Sequence, residues 1–345
     1  MQNIRSVLSD SIIEFLEKNG EKPYRANQIS DWLWKYRVTS FDKMKNLSPN
    51  LQETLSKNFF IDAAKITTQQ FSDDSTIKVA FTLFDSQSVE GVLIPSDKRV
   101  TACISSQVGC ALGCKFCATG QFGFSRNLSA GEIFDQAFLL AELSQKQYDL
   151  PLTNIVFMGM GEPLLNYDNV ILAINWITSQ KGMGFSAKRI TISTAGIPDK
   201  IEQLAKDNIK VNLALSLHTA NPAVRQELLP VANKYTLERI AQALKFYTAT
   251  LKKEVTFEYL LLKGINDSLN DAKALINYCS HVASKVNVIE YNPVADLPFE
   301  KSTSENTALF LKTLFAKNLN VKLRRSRGKD IDAACGQLAN KERNT

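Results

Sequence analysis

The spacing of hydrophobic residues changes near residue 75 and divides the chain into two regions. Before about residue 65, apolar side chains recur with helical spacing, as at Ile12, Phe15 and Leu16. This spacing is typical of amphipathic helices, whose apolar residues share one face. The pattern therefore predicts a small helical N-terminal domain over residues 1–65.

Beyond that change, short β-rich runs alternate with helical patterns. Three runs precede a cluster of cysteines, at Ile77–Phe84, Val89–Ile94 and Val100–Ser105. Because strands that alternate with helices form parallel sheets with helical crossovers, we expect an α/β fold over residues 66–345. The strands predicted after the cysteines are Asn154–Met158, Arg189–Ser193, Lys210–Leu217, Glu254–Leu262, Lys285–Tyr291 and Asn320–Leu323.

The number of these strand and helix units limits the architecture. Helical patterns such as Ala130–Leu143 and Leu237–Thr250 separate the strands. Six units after the cysteines are too few to close an eight-stranded barrel. The economical interpretation is a partial, open (β/α)6 barrel of the TIM type, with its chemistry at the carboxyl ends of the strands.

Composition and charge narrow the class of protein only modestly. The chain of 345 residues is 44% hydrophobic, enough for a folded core, and carries a formal net charge of +6. A polyanionic partner is favoured only weakly, because many proteins without one are as basic. The sequence has neither a signal-peptide core nor an apolar run long enough to span a membrane. We therefore expect a cytosolic protein that does not bind membranes.

The cysteines carry the strongest chemical signal. Four of the six lie between Cys103 and Cys117, which favours metal or thiol chemistry over structural disulfides in a reducing compartment. Cys110, Cys114 and Cys117 follow a predicted strand as C-x3-C-x2-C. On a four-iron cluster, three protein ligands leave one iron open to bind the amino and carboxylate groups of a methionine moiety. Zinc is the alternative, with His218 or Cys103 as a fourth ligand.

Other chemically capable residues are each compatible with a plain structural role. Glu90 fits an outward-facing strand carboxylate, and Cys103 fits a core residue. Cys335 stands beside Gly336 after a basic run, where either a mobile reactive thiol or a buried small residue is reasonable. His218 alone would more often be a hydrogen-bonded core residue. The residue types leave both interpretations open.

The cysteine motif resembles the signature of the radical S-adenosylmethionine (SAM) superfamily, in which C-x3-C-x2-C lies on the loop after the first barrel strand. The surrounding stretches are similar to those of the dual-specificity adenine-C2 methyltransferases, which act on 23S ribosomal RNA and transfer RNA. The resemblance covers nearly the whole chain. It implies a barrel of the radical SAM type, a [4Fe-4S] cluster on the three motif cysteines, and SAM as cofactor. It is carried by Cys103–Cys117, Gly159–Pro163, Ser193–Gly196, Ser216–His218 and Asp332–Gly336.

The resemblance also assigns roles to individual residues. Cys335 matches the family's methyl-carrying cysteine, Cys103 its resolving cysteine and Glu90 its proton acceptor. Cys279 and His281 match none of the motifs, and we expect both to be structural. The cofactor-binding residues implied by the resemblance are Gly161, Glu162, Ser193, Ser216, Leu217, His218 and Asn292.

The implied reaction uses two SAM molecules, one to methylate Cys335 and one to generate a 5′-deoxyadenosyl radical. Attack by Cys103 would resolve an enzyme–RNA linkage and leave a transient disulfide. The implied substrates are an adenosine of 23S ribosomal RNA and one next to the anticodon of transfer RNA, each unpaired or flipped out. An electron donor such as flavodoxin or ferredoxin, a monomeric state and RNA binding by residues 1–65 complete the expectation.

Two alternatives remain at this point. The related enzymes that methylate C8 of adenine use the same two-cysteine chemistry, although the stretch Cys110–Cys114 looks closer to the C2 class. A zinc-stapled RNA-binding protein would be colourless and would not cleave SAM, whereas an iron–sulfur enzyme would be brown and sensitive to oxygen.

Overall fold

A ten-stranded sheet forms the centre of this computed structural model, which describes residues 1–7 and 9–339. Two small two-stranded sheets lie outside it. The strands of the described residues are β1 (Gln2–Asn3), β2 (Phe59–Phe60), β3 (Lys65–Phe71), β4 (Ile77–Thr82), β5 (Ser88–Ser96), β6 (Arg99–Cys103), β7 (Gln107–Gly109), β8 (Phe124–Asn127), β9 (Asn154–Phe157), β10 (Ile190–Thr194), β11 (Asn212–Ser216), β12 (Val255–Leu261), β13 (Ser284–Glu290) and β14 (Val321–Arg324).

The large sheet is mixed, in the order β14-β13-β12-β11-β10-β9-β6-β5-β4-β3. From β6 through β9 to β14 the neighbours are parallel, whereas β3 to β6 pair antiparallel. The edge strands β14 and β3 do not pair with each other in the part of the chain that the structure describes. The predicted partial, open barrel is therefore confirmed.

The helices after β6 connect successive parallel strands and cover the sheet. The longest of them, residues 130–148, begins with a capping box between Ser129 and Glu132 and buries Ile133, Phe134 and Leu140 completely. Across residues 1–7 and 9–339, no helix has the length and apolar character needed to cross a membrane. The helices found there are α1 (Ser9–Lys18), α2 (Arg25–Ser30), α3 (Pro49–Asn58), α4 (Ala118–Gln121), α5 (Ala130–Tyr148), α6 (Tyr167–Thr178), α7 (Pro198–Lys206), α8 (Pro222–Leu228), α9 (Leu237–Leu251), α10 (Leu269–Cys279) and α11 (Ser304–Phe315).

The six strands predicted after the cysteines all occur, as β9 to β14, with ends close to the predicted ones. Such strands are covered on both faces and have nearly continuous apolar runs, which makes them easy to find. Strand β3 is not predicted, because Lys65–Phe71 is an edge strand whose side chains are mostly polar and exposed. The predicted end of α5 at Leu143 is too early, since the helix continues to Tyr148.

The N-terminal helices dock on α5 through a buried cluster of charged side chains. Arg5 is 2% exposed, and its Nη1 lies 3.0 Å from Oδ2 of Asp135 and 3.9 Å from Oδ1 of Asp62. Trp34 stacks on Trp176 of α6 with ring centroids 4.7 Å apart. Removing one member of such a charge cluster leaves a buried ion without compensation. These contacts fix the N-terminal helices to the barrel.

Gly131 in the first turn of α5 lies against this charge cluster. A Cβ atom at this position would lie 2.5 Å from both Arg5 Cδ and Asp62 Oδ1. We therefore expect Gly131→Ala to lower the free energy of unfolding by about 1–3 kcal/mol in a denaturant titration. Glu142→Ala, on the exposed side of the same helix, is the control and should change it by less than about 0.5 kcal/mol. Equal stability of the two variants would contradict close packing at this contact.

β11 ends in a buried turn that contains His218. This residue has a φ of 58° and is 7% exposed. Its Nδ1 accepts a hydrogen bond from the backbone N–H of Leu260, so that nitrogen carries no proton. Burial, together with the nearby charge of Arg225, lowers the pKa of His218 to about 3. The folded protein therefore holds a neutral imidazole at physiological pH.

This neutral histidine should make stability depend on pH. As pH falls from 6.5, the ordinary pKa of histidine, towards about 3, the unfolded chain binds a proton that the folded protein does not. Between pH 7.5 and 5.5 the protein should lose about 1.4 kcal/mol relative to His218→Asn, measured by urea unfolding. Asparagine tolerates a positive φ. His281→Asn, at an exposed histidine, should keep the slope of the unaltered protein. Parallel pH profiles for the unaltered protein and His218→Asn would contradict a neutral buried imidazole.

Candidate active site

The three motif cysteines lie on the loop between β7 and β8, which closes tightly at Gly109. This glycine has a φ of +76°, and a Cβ there would lie 2.0 Å from the carbonyl oxygen of Gly123. The N–H of Cys110 donates to the same oxygen at 2.8 Å. Further along, the N–H of Cys117 donates to the carbonyl of Cys114 at 3.2 Å, just before α4. Residue 109 must be glycine for the loop to close in this way.

The three thiols are close enough to affect one another's ionisation. Burial raises the pKa of Cys110 to about 12 and also raises that of Cys114, and neighbouring sulfurs of the motif add to both shifts. Thiolates are the species that bind metals. A positively charged centre shared by Cys110, Cys114 and Cys117 would offset the cost of ionising them together. The set of three soft sulfur donors therefore fits an iron–sulfur cluster.

The arrangement differs from that around a single ion. Within residues 1–7 and 9–339, no group of three or more His, Cys, Asp or Glu side chains is placed to hold one metal ion. In a four-iron cluster each thiolate binds a different iron, so the sulfurs lie farther apart than the ligands of one zinc ion. His218, the candidate fourth zinc ligand, has its Nδ1 bonded to Leu260 and its ring against Phe116, with centroids 4.9 Å apart. Its imidazole is thus already used to join β11 to β12.

The motif cysteines face a cavity of about 170 Å³ at the carboxyl ends of the parallel strands, which we call the cluster cavity. Because β9, β10 and β11 all end at this edge of the sheet, side chains that are distant in sequence meet there. The predicted site residues in its wall are Cys110, Cys114, Cys117, Gly161, Glu162, Ser193, Ser216, His218 and Cys335.

Glu162 follows β9 and is held in place by main-chain hydrogen bonds. Its Oε1 accepts from the N–H of Leu164 at 3.0 Å, and its Oε2 accepts from the N–H of Ala195 at 2.8 Å. Gly161 before it has a φ of +95°, and a Cβ there would lie 2.4 Å from Gln107 Cβ. Burial raises the pKa of Glu162 to about 7. An ammonium group in the cavity would favour its ionised form.

The strand-end residues fall into two groups. The hydroxyl groups of Ser193 and Ser216 lie 3.4 Å apart and line the cluster cavity. Among the described residues that line this cavity, neither Leu217 nor Asn292 is present. Leu217 is fully buried, and the side-chain amide of Asn292 donates to Ser326 Oγ at 2.8 Å. Cofactor contacts for these two residues therefore stay predictions.

Cys335 enters the barrel because the C-terminal segment, residues 333–339, docks on the loop of the cysteine motif. The N–H of Ala118 donates to the carbonyl of Gly336, and Oγ1 of Thr119 donates to the carbonyl of Leu338, both at 2.7 Å. The Cys335 side chain is exposed, but to the interior of the barrel. Desolvation inside the barrel raises its pKa, which the charge of Arg324 opposes.

A second cavity of about 800 Å³ adjoins Cys335, and we call it the polar cavity. It extends from Cys335 and Cys103 to the amino ends of the strands, where Arg99, Lys285 and Lys322 line it. Cys335 lines both cavities and thus forms part of the wall between them. Its sulfur and that of Cys103 are free in this structure, so the two are not joined by a disulfide.

Glu258 and Arg324 also line both cavities, although the sequence analysis does not identify either as a site residue. Arg324 Nη1 lies 3.2 Å from Glu258 Oε2, and the amide of Asn287 donates to Glu258 Oε1 at 2.9 Å. Burial raises the pKa of Cys103 to about 12, and the charge of Arg324 opposes the shift at both Cys103 and Cys335. The sequence did offer a signal for Glu258, because it is an acidic residue within the buried strand β12.

Glu90 faces a third cavity, of about 430 Å³, rather than the cavities that contain the two cysteines. It lies on β5 and is 6% exposed, so it is not the outward-facing carboxylate that its strand position alone suggests. Its Oε2 accepts a hydrogen bond from the N–H of Ala339 at 2.7 Å. Its Oε1 lies 3.4 Å from Nζ of Lys78. Glu90 is thus linked to Cys335 through the C-terminal segment.

Comparisons with known proteins agree with this geometry. The sequence model of the Radical SAM superfamily matches residues 104–276, and that of the ribosomal RNA large subunit methyltransferase N-terminal domain matches residues 2–61. The chain is 46% identical over 341 residues to a protein of Flavobacterium psychrophilum named probable dual-specificity RNA methyltransferase RlmN. That alignment covers 99% of this chain and 98% of the relative. A protein of the same name from Cytophaga hutchinsonii is 47% identical, with 98% of this chain and 93% of the relative covered.

The fold has a close counterpart among solved structures. The crystal structure of a radical SAM methyltransferase from Sphaerobacter thermophilus matches with a TM-score of 0.89 and 36% sequence identity, covering 98% of this chain and 99% of that one. Both the barrel and the N-terminal region are included in matches of this extent. The chain therefore belongs to the dual-specificity RNA methyltransferase family of the radical SAM superfamily.

Proposed function

We propose that this protein methylates C2 of one adenosine in 23S ribosomal RNA and of an adenosine next to the anticodon in transfer RNA. The observation that carries the proposal is the position of Cys335, in the wall between the cluster cavity and the polar cavity. A thiol placed there can meet a cofactor on one side and a nucleobase on the other. The names of the similar proteins support the class of substrate.

Adenine C2 needs radical chemistry, because it lies between two ring nitrogens and does not attack the electrophilic methyl group of SAM. Cys110, Cys114 and Cys117 would hold a [4Fe-4S] cluster that, reduced by a donor such as flavodoxin or ferredoxin, supplies a 5′-deoxyadenosyl radical from SAM at its open iron. Glu162 offers a carboxylate to the ammonium group of SAM. The other residues proposed to bind SAM are Gly161, Ser193, Ser216, Leu217, His218 and Asn292.

Cys335 is the proposed carrier of the methyl group. Its thiolate, favoured by the charge of Arg324, takes a methyl group from one SAM molecule. The S-methyl group then gives a hydrogen atom to the radical derived from a second SAM. The methylene carbon left on Cys335 joins adenine C2, which links the RNA covalently to the enzyme.

Cys103 and Glu90 complete the proposed reaction. The unpaired electron left by addition of the methylene radical would return to the cluster, and Glu90 takes the proton from C2. Cys103 then attacks the sulfur of Cys335, and the released carbon takes up the thiol proton of Cys103, which gives methylated adenine and a disulfide. That both cysteines line the polar cavity supports this attack. Because the N–H of Ala339 occupies one oxygen of Glu90, the C-terminal segment has to shift before Glu90 acts. Reduction of the disulfide would return the enzyme to its starting state.

The polar cavity suits a nucleotide that has left its base pair. Arg99, Lys285 and Lys322 line the end of the cavity away from Cys335, where they can pair with phosphates. A flipped or unpaired adenosine could then reach Cys335 through a space of about 800 Å³. Residues 1–65 are our candidate for binding the rest of the RNA, since Tyr24 and Tyr36 are exposed and each lies beside a cation.

Anaerobic reconstitution with iron and sulfide, followed by reduction in the presence of SAM and RNA, tests the proposal. We expect 5′-deoxyadenosine and 2-methyladenosine to form together, quantified by mass spectrometry. Cys335→Ala should abolish methyladenosine and retain the iron. Cys279→Ala, a buried cysteine on α10 away from the cavities, is the matched control and should keep both products.

Fragmentation or NMR of the product nucleoside identifies the methylated carbon. Formation of 8-methyladenosine would overturn the proposed position on the base. Bound zinc, with neither 5′-deoxyadenosine nor methyladenosine formed, would overturn the mechanism as a whole.

A further inference from the structure

Lys78 is a buried lysine that the chemistry described so far does not use. It lies on β4, is 7% exposed, and its Nζ is 3.4 Å from Oε1 of Glu90 on β5. Lysine is rarely buried, because removing its ammonium group from water is costly. A well-packed apolar pair is often at least as stable as a buried ion pair. The Lys78–Glu90 pair therefore calls for a reason other than stability.

The two oxygens of Glu90 have different partners. Oε1 faces Lys78, whereas Oε2 accepts the hydrogen bond of Ala339. Ala339 belongs to the segment that carries Cys335, so Oε2 faces this segment, whereas Oε1 faces β4. If the segment shifts, the Ala339 bond is lost, but Lys78 stays because β4 and β5 are paired along their length. Oε1 then remains anchored while Oε2 meets the substrate.

The same two residues line the third cavity, whose volume is about 430 Å³. Its wall includes Gln70, which is exposed, so the cavity reaches the surface beside β3. Among residues 1–7 and 9–339, Asp330 and Asp332, in the chain after β14, are the other charged groups that face it. The Asp330 carboxylate is held by Ser72 Oγ at 2.5 Å and by the N–H of Asp73 at 3.1 Å. A water molecule in this cavity would lie next to Glu90 without passing Cys335.

We propose that Lys78 is a positioning residue for proton transfer: it holds Oε1 of Glu90 so that Oε2 meets adenine C2, and the third cavity returns the proton to solvent. The inference rests on the proposed function, in which Glu90 is the base. It adds a residue and a route for the proton that the cysteine chemistry does not require.

The proton-transfer step is balanced without a further reagent. The C2–H bond of the adduct breaks, the proton moves to Oε2 of Glu90, and the bonding electron pair stays with the adenine ring. The neutral carboxyl group then passes this proton to water in the third cavity. Lys78 neither gives nor takes a proton in this step, and no electron enters or leaves the Lys78–Glu90 pair.

The test compares Lys78→Met and Lys78→Arg with Lys245→Met, a matched substitution at an exposed lysine of α9. Four quantities are measured in the reconstituted enzyme: methylation of Cys335, 5′-deoxyadenosine, covalent enzyme–RNA adduct and methyladenosine. The RNA carries either ordinary adenosine or 2-deuterioadenosine at the target position. The deuterated substrate reports directly on removal of the C2 proton.

We expect Lys78→Met to retain Cys335 methylation and 5′-deoxyadenosine formation, which precede proton transfer. Methyladenosine formation should fall roughly tenfold or more, because a misplaced base loses much of its catalytic contribution. The adduct should accumulate, and the deuterium isotope effect should rise. Lys78→Arg should recover part of the rate, since it keeps the charge in a different geometry. Lys245→Met should match the unaltered protein.

Several results would overturn the inference. A parallel loss of Cys335 methylation and methyladenosine in Lys78→Met would indicate a purely structural pair, and unchanged kinetics would indicate no role. If Lys78→Met does not fold, an isotope effect in Lys78→Arg equal to that of the unaltered protein overturns it. Absence of both adduct and methyladenosine in the unaltered protein would overturn the proposed function itself, which separates the two failures.

Discussion

Docking of the C-terminal segment on the loop of the cysteine motif is the contact on which the rest of the site depends. Ala118 and Thr119 bind the carbonyl groups of Gly336 and Leu338 directly after the last motif cysteine. The loop that presents the three thiols therefore also sets the position of Cys335. Because the loop closes only with glycine at residue 109, its local geometry controls both parts of the site. The proposed cluster ligands and the proposed methyl carrier are coupled through one short stretch of chain.

Charged side chains inside the barrel are the main departure from an apolar core. Arg324 pairs with Glu258, Lys78 pairs with Glu90, and Glu162 is held by backbone N–H groups. Removing each ion from water costs several kcal/mol, and the attraction within a well-placed ion pair is of about the same size. Such residues are expected where chemistry, rather than stability, selects the side chain. The barrel concentrates them around the C-terminal segment.

The periodicity of apolar residues was sufficient to predict most of the sheet. Strands β9 to β14 are buried on both faces, so their apolar runs are visible without any knowledge of their neighbours. β3 has no such run, because one edge of the sheet faces solvent there. The loop from Cys110 to Cys117 was predictable for a different reason, since its ligands are close in sequence and their spacing alone suits a cluster.

The sequence by itself thus determined the succession of strand and helix units in the barrel. It also predicted the three cluster ligands and, through the resemblance, the pair Cys103 and Cys335. Only the tertiary structure decided which cavity each of these groups faces. It put Cys335 between two cavities and brought Glu258 beside Arg324. It also joined Glu90 to Lys78 and to Ala339. The physical reason is that such pairs form between neighbouring strands and with the end of the chain. Their members have no fixed spacing in the sequence, so the pairing cannot be predicted from it.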